Sequence, residues 1–299
     1  MGPINPKKIP NTISTLTYRD KYRLSALDQL LRQALVAEKI CTVDRSDVKR
    51  IESPYGSQPS TVVQAIAGTY TPATYSTTND TLTVSDEVIV SEHIFDFEQV
   101  LTNFDMFASR TNEMMFQVAA SVDKYVLNNL LEEANQSYTT PTGGFTTASN
   151  VLTILGNLIA KVAGYKEAYY GNMYLVVENT DLPGIIQAAS THGFVRADNT
   201  LANGLVAGLL GVDIHVVRTG TFDDSADDNG STSGTTIWTN ANHRLFGVKG
   251  VSTYAAPRGV RFEEKMVSGK TGREIVVYGY IGHKLWTSKR DLVVDITLA

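Results

Sequence analysis

One cysteine, Cys41, stands in 299 residues. No intrachain disulfide framework and no multi-cysteine zinc site can therefore form, and Cys41 reads as a small apolar residue at a helix end. No run of about 18 apolar residues, the length a membrane-spanning helix needs, occurs anywhere. The first ten residues, from Met1 to Pro10, lack the apolar centre of a signal peptide, and Pro6 stands where a myristoylation site has Ser or Thr. Positive charge is also scarce. Lys and Arg number 26 against 31 Asp and Glu, a formal net charge of −5, whereas a surface that grips phosphates is normally basic. Lysine is missing altogether between Ile51 and Asp123, where Arg110 is the single permanent cation.

Catalytic constellations are missing too. The histidines His93, His192, His215, His243 and His283 are scattered, with no paired metal-ligand spacing. Gly269-Lys270-Thr271 echoes the end of a phosphate-binding loop, but Glu264 occupies the place of its first glycine, and a β-turn is the expected structure. The run Ser225 to Gly230 matches part of a calcium loop, yet its first ligand is Ser and Thr236 replaces the closing Glu. Gly230 and Gly234 have the spacing of a nucleophile elbow, with Thr232 in the nucleophile position and no strand-to-helix context. A stacking platform built from Tyr70, Tyr75, Tyr165, Tyr169 and Tyr170 is a weaker reading than core or interface packing. No glycine-rich dinucleotide fingerprint exists. No catalytic, cofactor-binding or metal-ligating residue is assigned.

What is present is a 42% hydrophobic, 19% charged chain suited to building a core. Its organising stretch runs from Phe97 to Glu133. Met115, Val118, Ala119, Val122, Val126 and Leu130 recur at helical spacing, the stripe of a helix facing a core. With Thr111 or Asn112 as N-cap, the helix is about 22 residues and roughly 33 Å long; Phe97 to Phe107 forms a separate apolar turn or helix. Upstream, residues 1–20 carry three prolines and read as an extended arm, Lys21 to Ile40 as a helix, and Ser46 to Ser60 as a polar connector. Thr61 to Ile94 has strand composition around a turn-rich tip, Tyr70 to Asp80, and predicts a long two-stranded hairpin. Such a hairpin is marginal alone and needs a surface to lie on.

Downstream, Gln136 to Gly144 reads as a loop and Thr147 to Gly164 as an amphipathic helix. Met173 to Val177 reads as a buried strand, and Asn179 to Ala189 as a turn and helix with Asn179 as cap and Pro183 in the first turn. Asp213 to Val217 is a second buried strand, and Gly220 to Gly234 an exposed acidic loop. Thr235 to Thr239, Arg244 to Val248 and the runs between Val260 and Thr297 are further strands, with a turn at residues 270–272.

This order of parts resembles the major capsid protein of tailed bacteriophages, the Hong Kong 97-type fold, and is similar to encapsulin shells. Three stretches carry the resemblance: Ala120 to Leu131, like the end of that family's spine helix; Met173 to Pro183 followed by Gly208 to Val217, like its axial domain; and Leu245 to Lys249 with the terminal strands, like the return to its peripheral domain. The resemblance implies an α+β capsid fold. Its parts are an N-terminal arm with a short helix (residues 1–60), an extended hairpin loop (61–96), a peripheral domain including the spine helix (97–144), an axial domain (145–243) and return strands (244–299).

It further implies a non-enzymatic subunit without cofactors that assembles with itself, as hexamers and pentamers, into an icosahedral shell around a double-stranded DNA genome held without sequence-specific binding. The shell belongs to the virion and is assembled in the host cytoplasm. A separate scaffolding protein and a portal are implied and a decoration protein is admitted. The expected subunit contacts on the hairpin are Tyr70, Pro72, Thr74, Tyr75, Asn79 and Asp80. Asp223, Asp224, Asp227 and Asp228 are expected on an axial or surface loop. The arm is expected to be retained rather than cleaved. Some relatives weld subunits through a hairpin lysine; the lysine-free stretch predicts a non-covalent shell, because an amide is attacked only by a neutral amine and a guanidinium stays protonated. A nanocompartment shell and, more distantly, a soluble α/β hydrolase are the alternatives.

Overall fold

The computed structural model describes residues 35–56, 76–94, 106–169, 171–191, 210–223, 238–266 and 271–299. The arm, most of the Lys21 to Ile40 segment, residues 57–75 of the hairpin and Phe97 to Asp105 lie outside them, and residues 77–80 of the expected tip are strand. The described chain begins with a short helix α1 (Ala37–Ile40) that ends at the buried Cys41, then β1 (Thr42–Asp44). Next come β2 (Arg50–Gly56), β3 (Thr77–Thr83) and β4 (Asp86–Ile94).

The long helix α2 spans Met106–Glu133, 28 residues and about 42 Å. It starts upstream of the expected cap: Thr111 lies inside the helix and is buried. The apolar stripe does face the core, with Val118, Val126, Leu127 and Leu130 fully covered.

After α2 come β5 (Gln136–Thr139), α3 (Ala148–Val162), β6 (Met173–Glu178), α4 (Leu182–Thr191), β7 (Val212–Val217), β8 (His243–Val248), β9 (Ser252–Ala255), β10 (Arg261–Met266), β11 (Arg273–Leu285) and β12 (Val293–Thr297). Two sheets organise them. In the first, β11 is the centre: β10 and β9 pair along it in succession, β1 adds to β9 in parallel, and β4 pairs antiparallel over Asp86↔Ile281 to Ile94↔Arg273. The second runs β5-β12-β8-β6-β7 and is mixed, with β6–β7 and β5–β12 parallel.

The sequence explains these placements. The unbroken apolar run at Met173–Val177 forms a strand buried at every position, as a strand covered on both faces should be. The stripe of α3 buries Val151, Ile154, Leu155, Leu158 and Val162. Helix α4 begins with Leu182 and Pro183, so Asn179 is not its cap; the Asn179 side chain instead receives the Thr219 hydroxyl. Gly184 lets α4 close on the turn before α3, since a Cβ there would lie 2.2 Å from the Phe145 carbonyl oxygen. The expected loop at Gln136 is in fact strand β5. Its Gln-Ser-Tyr-Thr composition hides a short edge strand that forms only because β12 offers it a partner. One continuous apolar cluster unites α2, both sheets, α3 and α4.

Candidate functional site

The hairpin differs from its expected register. Strand β2 lies in the stretch expected to be a connector and pairs with β3 from Arg50↔Thr83 to Gly56↔Thr77. Pro54 is tolerated because each strand of a two-stranded ribbon is an edge. Asp86–Ile94, expected as the hairpin's return strand, belongs to the body sheet instead. Tyr70, Pro72, Thr74 and Tyr75 lie outside the described residues. Asn79 is exposed on β3 opposite Pro54.

Asp80 anchors the hairpin within its own chain. Its Oδ2 accepts the Thr287 N–H at 2.7 Å and its Oδ1 the Thr81 N–H at 3.0 Å. Burial pushes its carboxyl up, but the Thr287 hydrogen bonds, the Lys284 charge and the Thr81 N–H outweigh that and hold it below the usual carboxylate value. Leu82 is the hairpin residue sealed in the body (1% exposed). Beside it β3 crosses β11 at Gly282, where a Cβ would stand 3.0 Å from the Thr83 carbonyl oxygen and 3.1 Å from the Val84 Cα. The Val84 N–H donates to the Lys49 carbonyl and closes the base. Among the other described ribbon residues none is buried: Arg50, Glu52, Pro54, Thr77, Thr78, Asn79 and Thr83 are exposed, and Ile51, Ser53, Tyr55, Gly56, Asp80 and Thr81 are partly covered.

The body sheet is braced against α2 at both ends of β4. Arg110 donates a fork of hydrogen bonds to Glu92 (2.6–2.9 Å), and the Tyr125 hydroxyl donates to Asp86 at 2.6 Å. At the helix end Glu133 accepts the Leu285 N–H at 2.6 Å and pairs with Lys284 at 3.1 Å. On the opposite, outward face, Ile89 stands across from Tyr278, and Tyr280 packs edge-on to Tyr278 at 6.0 Å. Ile89 (57% exposed) and Tyr280 (42%) are large apolar side chains left in solvent.

The acidic segment begins as a buried stem rather than an exposed loop. Phe222 is fully covered, Asp223 forms a β-bridge with Thr239, and Trp238 is buried. Asn128 of α2 holds this stem by donating to the Thr221 carbonyl at 3.0 Å and accepting from the Asn240 amide at 3.1 Å. Asp224, Asp227 and Asp228 lie outside the described residues.

Close to the stem is an ionic cluster with no signal in the sequence. Arg244 donates through Nε to Asp181, through Nη2 to Glu178 at 3.1 Å, and through Nη1 to the carbonyls of Ala241 and His243 at 3.0 and 2.7 Å. Glu178 also accepts the Gly220 N–H at 3.1 Å, and Arg244 lies over the Phe222 ring. All three side chains are at most 6% exposed. Each charge is paired, so the cluster fixes four chain segments and has no free group for chemistry.

Burial pushes the Cys41 thiol up to about 12, with the Ser252 hydroxyl 3.1 Å away, which leaves it unreactive. Among the described residues no group of three His, Cys, Asp or Glu could hold a metal ion, and no helix is long and apolar enough to cross a membrane.

No family model and no curated protein matches the chain. Solved structures do. A capsid structure of the cyanophage P-SCSP1u matches with a TM-score of 0.66 at 14% identity, over 89% of this chain and 88% of that one. The mature capsid of bacteriophage PhiM1 gives 0.64 at 11% identity, over 89% and 87%. A virus-like particle from Pyrococcus furiosus gives 0.56 at 11% identity, over 91% and 96%. At such identities the likeness is one of fold: the chain has the α+β fold of these shell-forming proteins.

Proposed function

We propose that this chain is the structural major capsid protein of a tailed phage, of Hong Kong 97 type, and that it assembles with itself as hexamers and pentamers into a closed shell around DNA. The observation that carries the reading is the match over nearly the whole chain to capsid subunits, joined to a ribbon in which, among the described residues of β2 and β3, Leu82 alone is fully buried on its own chain. A ribbon so exposed gains order by lying across a neighbour, and repeated contacts between copies add avidity. In this reading the β11 sheet with α2 is the peripheral domain and the β6 sheet with α3 and α4 the axial domain. The shell resides in the virion and is assembled in the host cytoplasm with a scaffolding protein and a portal, and Asp224, Asp227 and Asp228 lie near a capsomer axis or the outer surface.

Full-length protein expressed alone and with its neighbouring phage genes, then separated by size, tests this: closed particles support it, and a stable monomer under both conditions contradicts it. A second reading is a nanocompartment shell, since the fold is shared as well with a virus-like particle from Pyrococcus furiosus. Particles that carry protein cargo and no nucleic acid would favour it.

A further inference from the structure

The segment from Leu35 to Ala37 is hydrogen-bonded to α2 by one side chain, and this contact forms the junction between them. Asp123 lies along α2 with its carboxylate buried (8% exposed). Its Oδ2 accepts the Val36 N–H at 3.1 Å and its Oδ1 the Ala37 N–H at 2.8 Å. Both contacts bridge more than eighty residues of sequence (separations of 87 and 86). Beside them a small cavity lined by Leu35, Glu38, Arg45, Val118, Val122 and Tyr254 lies between α1, α2 and the β11 sheet.

We propose that Asp123 is a proton-sensitive tether that fastens residues 35–37 to α2 and holds them more tightly once it is protonated. An ionised carboxylate loses its hydration on burial, and two amide hydrogen bonds return only part of that loss. Opening the junction rehydrates the charge. A neutral carboxyl costs far less to bury, and its carbonyl oxygen still accepts an amide.

Burial pushes the Asp123 carboxyl up from 3.8 to about 6, against the pull of the Ala37 and Val36 N–H groups and of Lys39; Glu38 adds to the rise. The closed junction therefore takes up its proton at a higher pH than the open one. Its advantage grows as the pH falls through 6 and is lost as the pH rises through that value. The surrounding groups do not mimic this. Burial pushes the Cys41 thiol up to about 12 and raises the Tyr174 and Tyr254 hydroxyls, while His215, which feels Lys39, is pushed down to about 4. Glu38 is paired with Arg45 at 2.6 Å. The inference stands on the chain itself and does not depend on the shell reading.

Hydrogen–deuterium exchange of the purified full-length chain tests it, read on peptides covering residues 35–41 and corrected for the intrinsic rate at each pH. Between pH 7 and pH 5 the protection of Val36 and Ala37 should rise about tenfold, the change in closed-to-open ratio for a carboxyl moved from 3.8 to about 6. Asp123→Asn, neutral at both pH values, should change less than about twofold. Wild-type protection that stays flat or falls on acidification overturns the proposal, as does a tenfold rise that survives in Asp123→Asn. Should that variant not fold, infrared difference spectra of the wild type decide: a buried protonated carboxyl appearing with a midpoint near 6 supports the tether, and its absence overturns it.

Discussion

Arg244, Glu178 and Asp181 show how much can rest on three side chains. Removing the guanidinium alone leaves two buried carboxylates facing each other without a counter-charge. Arg244→Met should therefore destabilise the subunit by about 3–5 kcal/mol, whereas the triple change Arg244→Met, Glu178→Gln, Asp181→Asn should cost less than the single one. Denaturant unfolding of the full-length variants measures both; a single variant as stable as wild type would show that the cluster contributes nothing. His283 supplies a second prediction. Both of its ring nitrogens are sealed from solvent without a hydrogen-bond partner, and burial pushes it down to about 3 from 6.5. A base depressed in the fold binds its proton more readily when unfolded, so it takes stability away as the pH falls below 6.5 toward 3. His283→Gln should lose less melting temperature than wild type between pH 7 and pH 5; an equal loss would remove His283 as a cause. None of this was legible in the sequence. Arg244 meets its partners 63 and 66 residues away, and no local pattern records a contact made by topology.

Elements were legible where one physical rule settled them. The periodic stripe of α3 and the unbroken apolar run of β6 left little choice of structure or of buried face. Strand β2 was hidden because Pro54 and Gly56 read as turn residues, and its strand exists only through the partner β3. The start of α2 was hidden because the segment upstream is apolar as well and offers no clear cap. The hairpin base now carries a prediction of its own. Leu82→Ala should cost about 2–4 kcal/mol by leaving a cavity under the ribbon. The effect should fall on the hairpin, with a normal circular dichroism spectrum and far fewer assembled particles on a sizing column. Asp80→Ala, which frees the Thr287 N–H, should act in the same direction and more weakly. Wild-type particle yield in both variants would separate the hairpin's attitude from assembly.

At the scale of the whole molecule, the described residues supply a folded body and a ribbon that leaves it. The lysine-free span from Ile51 to Asp123 covers nearly all of that ribbon, β4 and most of α2, so no amine on it can weld neighbours together. Particles boiled with reductant should give one band near 32.6 kDa, and a surviving ladder mapped to this span would contradict a non-covalent shell. Since Asp223 belongs to a fixed β-bridge, the acidic charge is better removed at Asp224, Asp227 and Asp228. Their change to Asn should weaken the dependence of particle melting on divalent cations, because repulsion between symmetry mates is what such ions screen. Identical melting with and without calcium in both proteins would count against an axial position.

The central claim is that the hairpin finds its missing surface on another copy of the chain within a closed shell. A cryo-electron microscopy reconstruction of assembled full-length particles tests it most directly. The account predicts closed icosahedral particles in which the β2–β3 ribbon of each subunit crosses its neighbour, with Leu82 and Asp80 still seated on their own β11 and Thr287. Particles in which each ribbon folds back over its own body and touches no other copy would contradict it.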